Sequence, residues 1–338
     1  MDKLVLFDIS TRNKILNKRS GKSKFGQHIQ ILTGISNIYE QLITLDVTHV
    51  ILGVPEHISV LKKNNKTSDI KAWEATLKVL LNIENNQFTK ANKILILGHL
   101  DFSDEQLIIS KLNTSKKKDL IKAKEIVTII DEYVTHLIHQ IVLAGKKPII
   151  IGGGYNNAYG NAKGASLALG HPINVINFNS HSGFEEEGRQ NENAFSYAYT
   201  EGFISNYFVF GLHENDNSKK VFSTFEKLKP IAYNTFDALE IRKELKFKKE
   251  LDRALNHISE SNFGMEINCN AIENISSNNM TPSGFSVNKT RQFINYFAKH
   301  KHATYLHICE ASPTKKTATQ VGKLITYLIT DFTKATNG

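Results

Sequence analysis

The chain has 338 residues, 41% of them hydrophobic and 22% charged, with a net charge of +9, which is enough apolar material for one large α/β domain or two smaller ones. Its two cysteines, Cys269 and Cys309, exclude a disulfide-stapled scaffold and read as small core residues in a reducing compartment. No apolar stretch approaches the ~18–20 residues that span a bilayer, and the opening MDKLVLFDISTRNK lacks the order of a signal peptide, so the expectation is a cytoplasmic protein without a membrane partner.

In chain order, the first 45 residues are irregular and are expected to cap the main sheet of a single domain over 1–338. Apolar runs of strand length then recur at 48–54, 93–98, 147–152, 173–178, 206–211, 229–233, 262–269 and 303–309. They are β-branched or aromatic and nearly continuous in apolarity, as strands buried on both faces are. Helical periodicity separates them at 70–83, 119–144, 249–258, 287–299 and 318–333. The clearest case places Ile126, Ile130, Val134, Leu137, Ile141 and Val142 on one face and stops at Gly145, a natural C-cap. The polar stretch 104–118 reads as a surface excursion. Alternating strands and helices predict a three-layer α-β-α domain with a parallel sheet of about eight strands. The lysines carrying the net charge are scattered (Lys62-Lys63, Lys116-Lys117-Lys118, Lys315-Lys316) and no aromatic-rich basic strand lies among them. That is a solvated face and not a nucleic-acid interface.

Three strands end abruptly in small and polar residues: IIIGGGYNNAYG (149–160), VINFNSHSGF (175–184) and MEINCNAI (265–272). Sites in open α/β sheets form beyond such carboxyl ends. The polar residues there are mostly neutral: Tyr155, Asn179, Asn268 and Asn270, with one imidazole, His181.

From about Leu45 to Phe332 the chain resembles the ureohydrolase family of arginase, agmatinase and formimidoylglutamase, in its formimidoylglutamase-like bacterial branch. That family carries GGxH after one strand, DAHxD after the next and DxD later, and these residues hold two manganese ions. The resemblance puts Tyr155 where the family has His, Asn179 and Gly183 where it has Asp, and Asn268 and Asn270 at the DxD positions, and it keeps His181. It also places Gln190 and Asn191 at the His and Ser of a substrate loop, and Glu310 at a late Glu that contacts the substrate's guanidino-like group.

Two Mn²⁺ ions ~3.5–4 Å apart repel by roughly 15–20 kcal/mol at an effective dielectric near 20, so anionic ligands must offset them. None of the four family aspartates is present, and a phenol, which ionises near pH ~10, is a poor stand-in for imidazole. The leading expectation is therefore a family member without the binuclear site and without a resident cofactor, acting by binding, as a homo-oligomer or as partner of an active paralogue. A second reading keeps hydrolysis of a formimino or guanidino acid at a rearranged or single-metal site using His181, Asn179, Asn268, Asn270 and Glu310, with Glu186 of the Glu185-Glu186-Glu187 run swung inward and manganese as the metal. A third is a module that binds such an acid without turnover. Other groups read blandly: His57 as a loop residue, His136 and His139 as a helix pair lacking a third ligand, His300 and His302 at a helix end, His307 as a satisfied core histidine. Gly152-Gly153-Gly154 fits no phosphate-loop pattern and reads as a tight turn.

Overall fold

The computed structural model describes residues 2–17, 21–34, 36–56, 58, 71–113, 115–184 and 193–336. Its centre is a nine-stranded sheet: β1 (Leu4–Leu6), β2 (His49–Gly53), β3 (Ile94–Leu100), β4 (Lys147–Ile151), β5 (Ile173–Phe178), β6 (Ile204–Leu212), β7 (Ile231–Thr235), β8 (Phe263–Asn268) and β9 (Ala303–Cys309). The spatial order is β1-β3-β2-β4-β9-β8-β5-β6-β7. The eight expected strands are all present and parallel to their neighbours. The ninth, β1, pairs antiparallel with β3, so part of the N-terminal segment extends the sheet edge. Three residues with a single buried side chain are too short to show a period.

Strand side chains alternate between two cores. Ile51, Ile96, Ile149, Ile176, Met265 and Leu306 face α3 (Ala72–Leu80), α9 (Phe247–Ile258), α10 (Val287–Ala298) and α11 (Ala318–Thr336). Val50, Leu95, Ile150, Val175 and Tyr207 face α2 (Ile38–Thr44), α5 (Lys117–Leu143), α6 (Asn157–Leu169), α7 (Ala194–Thr200) and α8 (Lys219–Lys227). Two short helices, α1 (Ile9–Ile15) and α4 (Ser103–Ser110), complete the set; α4 occupies what the sequence suggested was an irregular excursion.

Helix α5 is long and apolar enough to cross a membrane by length and composition, which the sequence reading did not anticipate. Its apolar stripe is nevertheless buried within the fold, with Ile130, Val134, Leu137 and Ile141 at most 1% exposed, as in the core helix of a globular domain. It stops at Gly145, whose φ of +71° supplies the expected left-handed cap. Cys309 lies in β9 and Cys269 in the turn after β8; both are buried free thiols.

A buried polar brace crosses the centre of the sheet. Glu266 of β8 lies beside His307 of β9 in register, with Nδ1 of His307 2.5 Å from a Glu266 carboxylate oxygen. The Tyr305 hydroxyl donates to the other oxygen at 2.9 Å. Burial pulls the His307 imidazole down and Glu266 pushes it up; the carboxylate wins and the pKa is raised. A buried pair of this kind is costly to break from one side, about 3–5 kcal/mol. Glu266→Gln is expected to lose stability of that order in urea titrations. Because His307's folded pKa is raised, the pair's contribution is fully present below about pH 6.5, the ordinary histidine value, and declines as pH rises through the higher folded value. The variant should lose that slope; an unchanged wild-type slope would show that His307 is not its source.

Candidate functional site

The carboxyl ends of β4, β5, β8 and β9 converge on one polar crevice. The turn after β4 is tight: Gly152 and Gly153 have φ of +90° and +76°, and a Cβ on Gly153 would lie 2.7 Å from the Val54 carbonyl oxygen. Glycine is required there for backbone approach, as the sequence suggested. The turn is braced by Glu56, fully buried, which accepts hydrogen bonds from the Gly154 amide (2.9 Å), the Asn157 side-chain amide (2.7 Å) and the Ile58 amide (2.7 Å). No sequence pattern singles out Glu56. Its buried position shows up only once β2 and β4 are paired.

Asn179 and Asn268 play the same local part on two strands. The Asn179 side-chain oxygen accepts from the His181 amide at 3.1 Å and that of Asn268 from the Asn270 amide at 2.8 Å. These are Asx turns, which asparagine and aspartate form alike. The turn geometry thus survives without the charge.

The remaining site groups are tied together by two asparagines that sequence reading missed. The Asn279 backbone amide donates to the Asn270 side-chain oxygen at 3.0 Å, and the Asn279 side-chain nitrogen lies 3.1 Å from Nε2 of His181. The other His181 ring nitrogen lies 3.3 Å from the Asp216 carbonyl oxygen. Asn278 donates from its side chain to the Glu310 carboxylate, and its backbone amide donates to the Glu310 carbonyl at 3.1 Å. Glu310 also accepts from the Tyr155 amide at 3.0 Å. His181, Asn270, Glu310 and the Tyr155 backbone are therefore linked through residues 278–279. No sequence signal marks these two: neutral residues in a polar loop carry no period and no motif.

Position 183 is closed to a side chain. Gly183 has φ of +59°, and a Cβ there would lie 2.7 Å from the Phe195 ring and 3.5 Å from the Tyr155 ring. An aspartate would need both a left-handed backbone and movement of a fully buried phenylalanine. The Tyr155 ring thus lies beside the space that a residue at 183 would enter.

The donor set can be judged against the two manganese ions that the family resemblance implies. Tyr155, Asn179, His181, Gly183, Asn268 and Asn270 supply one imidazole and no carboxylate, whereas a pair of dications needs anionic oxygen ligands. Among the described residues no group of three or more His, Cys, Asp or Glu could hold a metal ion. The residues present do not fit the group. Gln190, Asn191, His57 and the Glu185-Glu186-Glu187 run lie outside the described residues. One further buried carboxyl went unread in the sequence: Asp131 on α5 is 4% exposed, and burial followed by the nearby Glu56 holds its pKa well above the usual range.

The model of the arginase family matches residues 49–333. Formimidoylglutamase of Streptococcus pyogenes serotype M5 (strain Manfredo) is 30% identical over 118 residues, which take in 32% of this chain; the chain spans 36% of the length of that curated relative. The structure of formimidoylglutamase from Bacillus subtilis subsp. subtilis str. 168 superposes with a TM-score of 0.69 at 15% identity, covering 95% of this chain and 94% of that one. Trypanosoma cruzi formiminoglutamase with Mn²⁺ gives 0.65 at 16% identity, covering 87% and 97%. Arginase from Bacillus caldovelox gives 0.59 at 13%, covering 85% and 98%. At such identities the structural likeness speaks for the fold, and the family match over 49–333 speaks for descent: this chain belongs to the arginase family.

Proposed function

We propose that this chain is a non-catalytic member of the arginase family that acts by binding, as a subunit beside a second copy of itself or beside an active paralogue. The observation that carries the reading is the closure of position 183, where the Phe195 and Tyr155 rings flank the space a ligand side chain would need. The absence of any carboxylate among the six ligand positions and the pairing of His181, Asn270 and Glu310 with Asn278 and Asn279 support it. A neutral, hydrogen-bonded amide network satisfies its own donors and acceptors and offers nothing to balance roughly 15–20 kcal/mol of repulsion between two dications.

Calorimetric titration with Mn²⁺, combined with metal analysis of the purified protein, is expected to show no binding above weak background and no release of formamide or urea. Two tightly held ions per chain with turnover would sink the proposal. The complementary experiment restores charge where the structure has room for it. Tyr155→His, Asn179→Asp, Asn268→Asp and Asn270→Asp together, with Gly183 kept, should raise Mn²⁺ affinity by an order of magnitude or more. No gain, with the circular dichroism of the wild type, would show that these positions do not face a common centre.

A second reading rests on Glu310, which keeps a carboxylate at the end of β9 and is 5% exposed, and on the stretch of 30% identity to a formimidoylglutamase. In it the chain hydrolyses a carbon–nitrogen bond of a formimino acid, with manganese held in an altered arrangement. His181→Ala would then abolish product release from formimidoylglutamate. Under the leading reading the variant and the wild type are indistinguishable in that assay.

A further inference from the structure

A second cavity opens beyond the carboxyl ends of β2 and β3, to one side of the crevice formed by β4, β5, β8 and β9. Its volume is about 320 Å³, within the range of small-molecule sites. The N-terminal segment makes one wall, with Leu6, Phe7 and Ile15, and α3 makes the other, with Trp73 and Leu77. These surfaces are apolar. The polar side chains among the described lining residues are Thr11 on the N-terminal wall and Lys71, Glu74, Lys78 and His99.

Several donors here have no acceptor. Trp73 is 96% buried (4% exposed), yet its indole nitrogen makes no hydrogen bond among the described residues, and neither ring nitrogen of His99 does. The two rings lie 6.3 Å apart. Lys71 and Lys78 form no ion pair among the described residues. Lys71 is also the N-cap of α3 and gives no side-chain cap, so the first-turn amides of a nine-residue helix face this end with their positive dipole.

The charges set the class of occupant. Burial, then Lys71, lowers the His99 pKa, with Asp101 and Glu74 opposing, so its imidazole is neutral at neutral pH. Among the described lining residues, two lysines against one glutamate leave a charge of +1, suited to a monoanion. The apolar walls ask for a hydrophobic body. We propose that this cavity binds a small monocarboxylic acid with an apolar or aromatic body, its carboxylate held by Lys71, Lys78 and the α3 N-terminus and its body against Trp73, Phe7 and Leu77.

Trp73 is the chain's single tryptophan, so intrinsic fluorescence of the full-length protein reports on this cavity alone. Phenylacetate is expected to shift Trp73 emission saturably at up to millimolar concentration, with phenylacetamide about tenfold weaker or worse, because a charge-assisted hydrogen bond is lost. Lys78→Ala, an exposed position, and Lys71→Ala should each weaken phenylacetate by several-fold to tenfold, while His181→Ala at the other crevice leaves it unchanged. The proposal is overturned if phenylacetate gives no saturable change, if phenylacetamide or inorganic phosphate gives the same one, or if both lysine variants bind phenylacetate as tightly as the wild type.

Discussion

A strand buried on both faces has no place for an unpaired polar side chain until it ends. The parallel strands of this chain follow that constraint: His49, Asn174, Asn177 and Asn234 are buried inside the sheet and each is hydrogen-bonded. The polar residues gather where β4, β5, β8 and β9 run out, because only there does the backbone leave the two cores. Glu266 and His307, also inside the sheet, are placed opposite one another in register and bind each other, since an isolated charge at that depth would cost several kcal/mol. Sheet geometry, and not the chemistry of any one residue, therefore decides where a site can be.

What fills that place differs from what the family's pattern puts there. Asparagine reproduces the hydrogen bonds of aspartate to the next backbone amides and drops its charge. The Asx turns at Asn179 and Asn268 keep their shape for this reason. Gly183 goes further, since the rings beside it take up the room. A site crowded with like-charged carboxylates destabilises the empty protein. A site of paired amides does not carry that repulsion.

The strands were legible in the sequence because continuous apolarity has one common explanation, and α5 and α9–α11 because their stripes recur at helical spacing. Helix α6 was not: its run NAYGNAKGASLAL buries Asn157, Asn161 and Gly164 along with its alanines, so polar letters sit on the inner face and mask the period. The N-terminal strand failed for want of length. At the site, the family resemblance named the positions, and nothing in the sequence named their hydrogen-bond partners. Asn278 and Asn279 sit on a loop whose conformation is fixed by contacts some 30 and 100 residues away, and Glu56 shows its burial only after β2 and β4 are paired. Steric closure at Gly183 depends on Phe195, which no local pattern connects to it.

The end of β9 has a mechanical consequence. Glu310 is not a glycine, yet its φ is +63°, and that reversal turns the chain toward residues 276–279. Ala311 bridges Ser277, the Ser312 amide donates to the Ser276 carbonyl, and the Ser276 hydroxyl donates to the Ser312 carbonyl. Together with the bonds from Asn278 to Glu310, these make a short antiparallel clasp that holds the loop across the crevice. Such a clasp opens all at once or not at all, because each bond keeps the others in register. The amides of Asn278 and Ser312, held by the two halves of one clasp, should accordingly exchange with solvent as a pair.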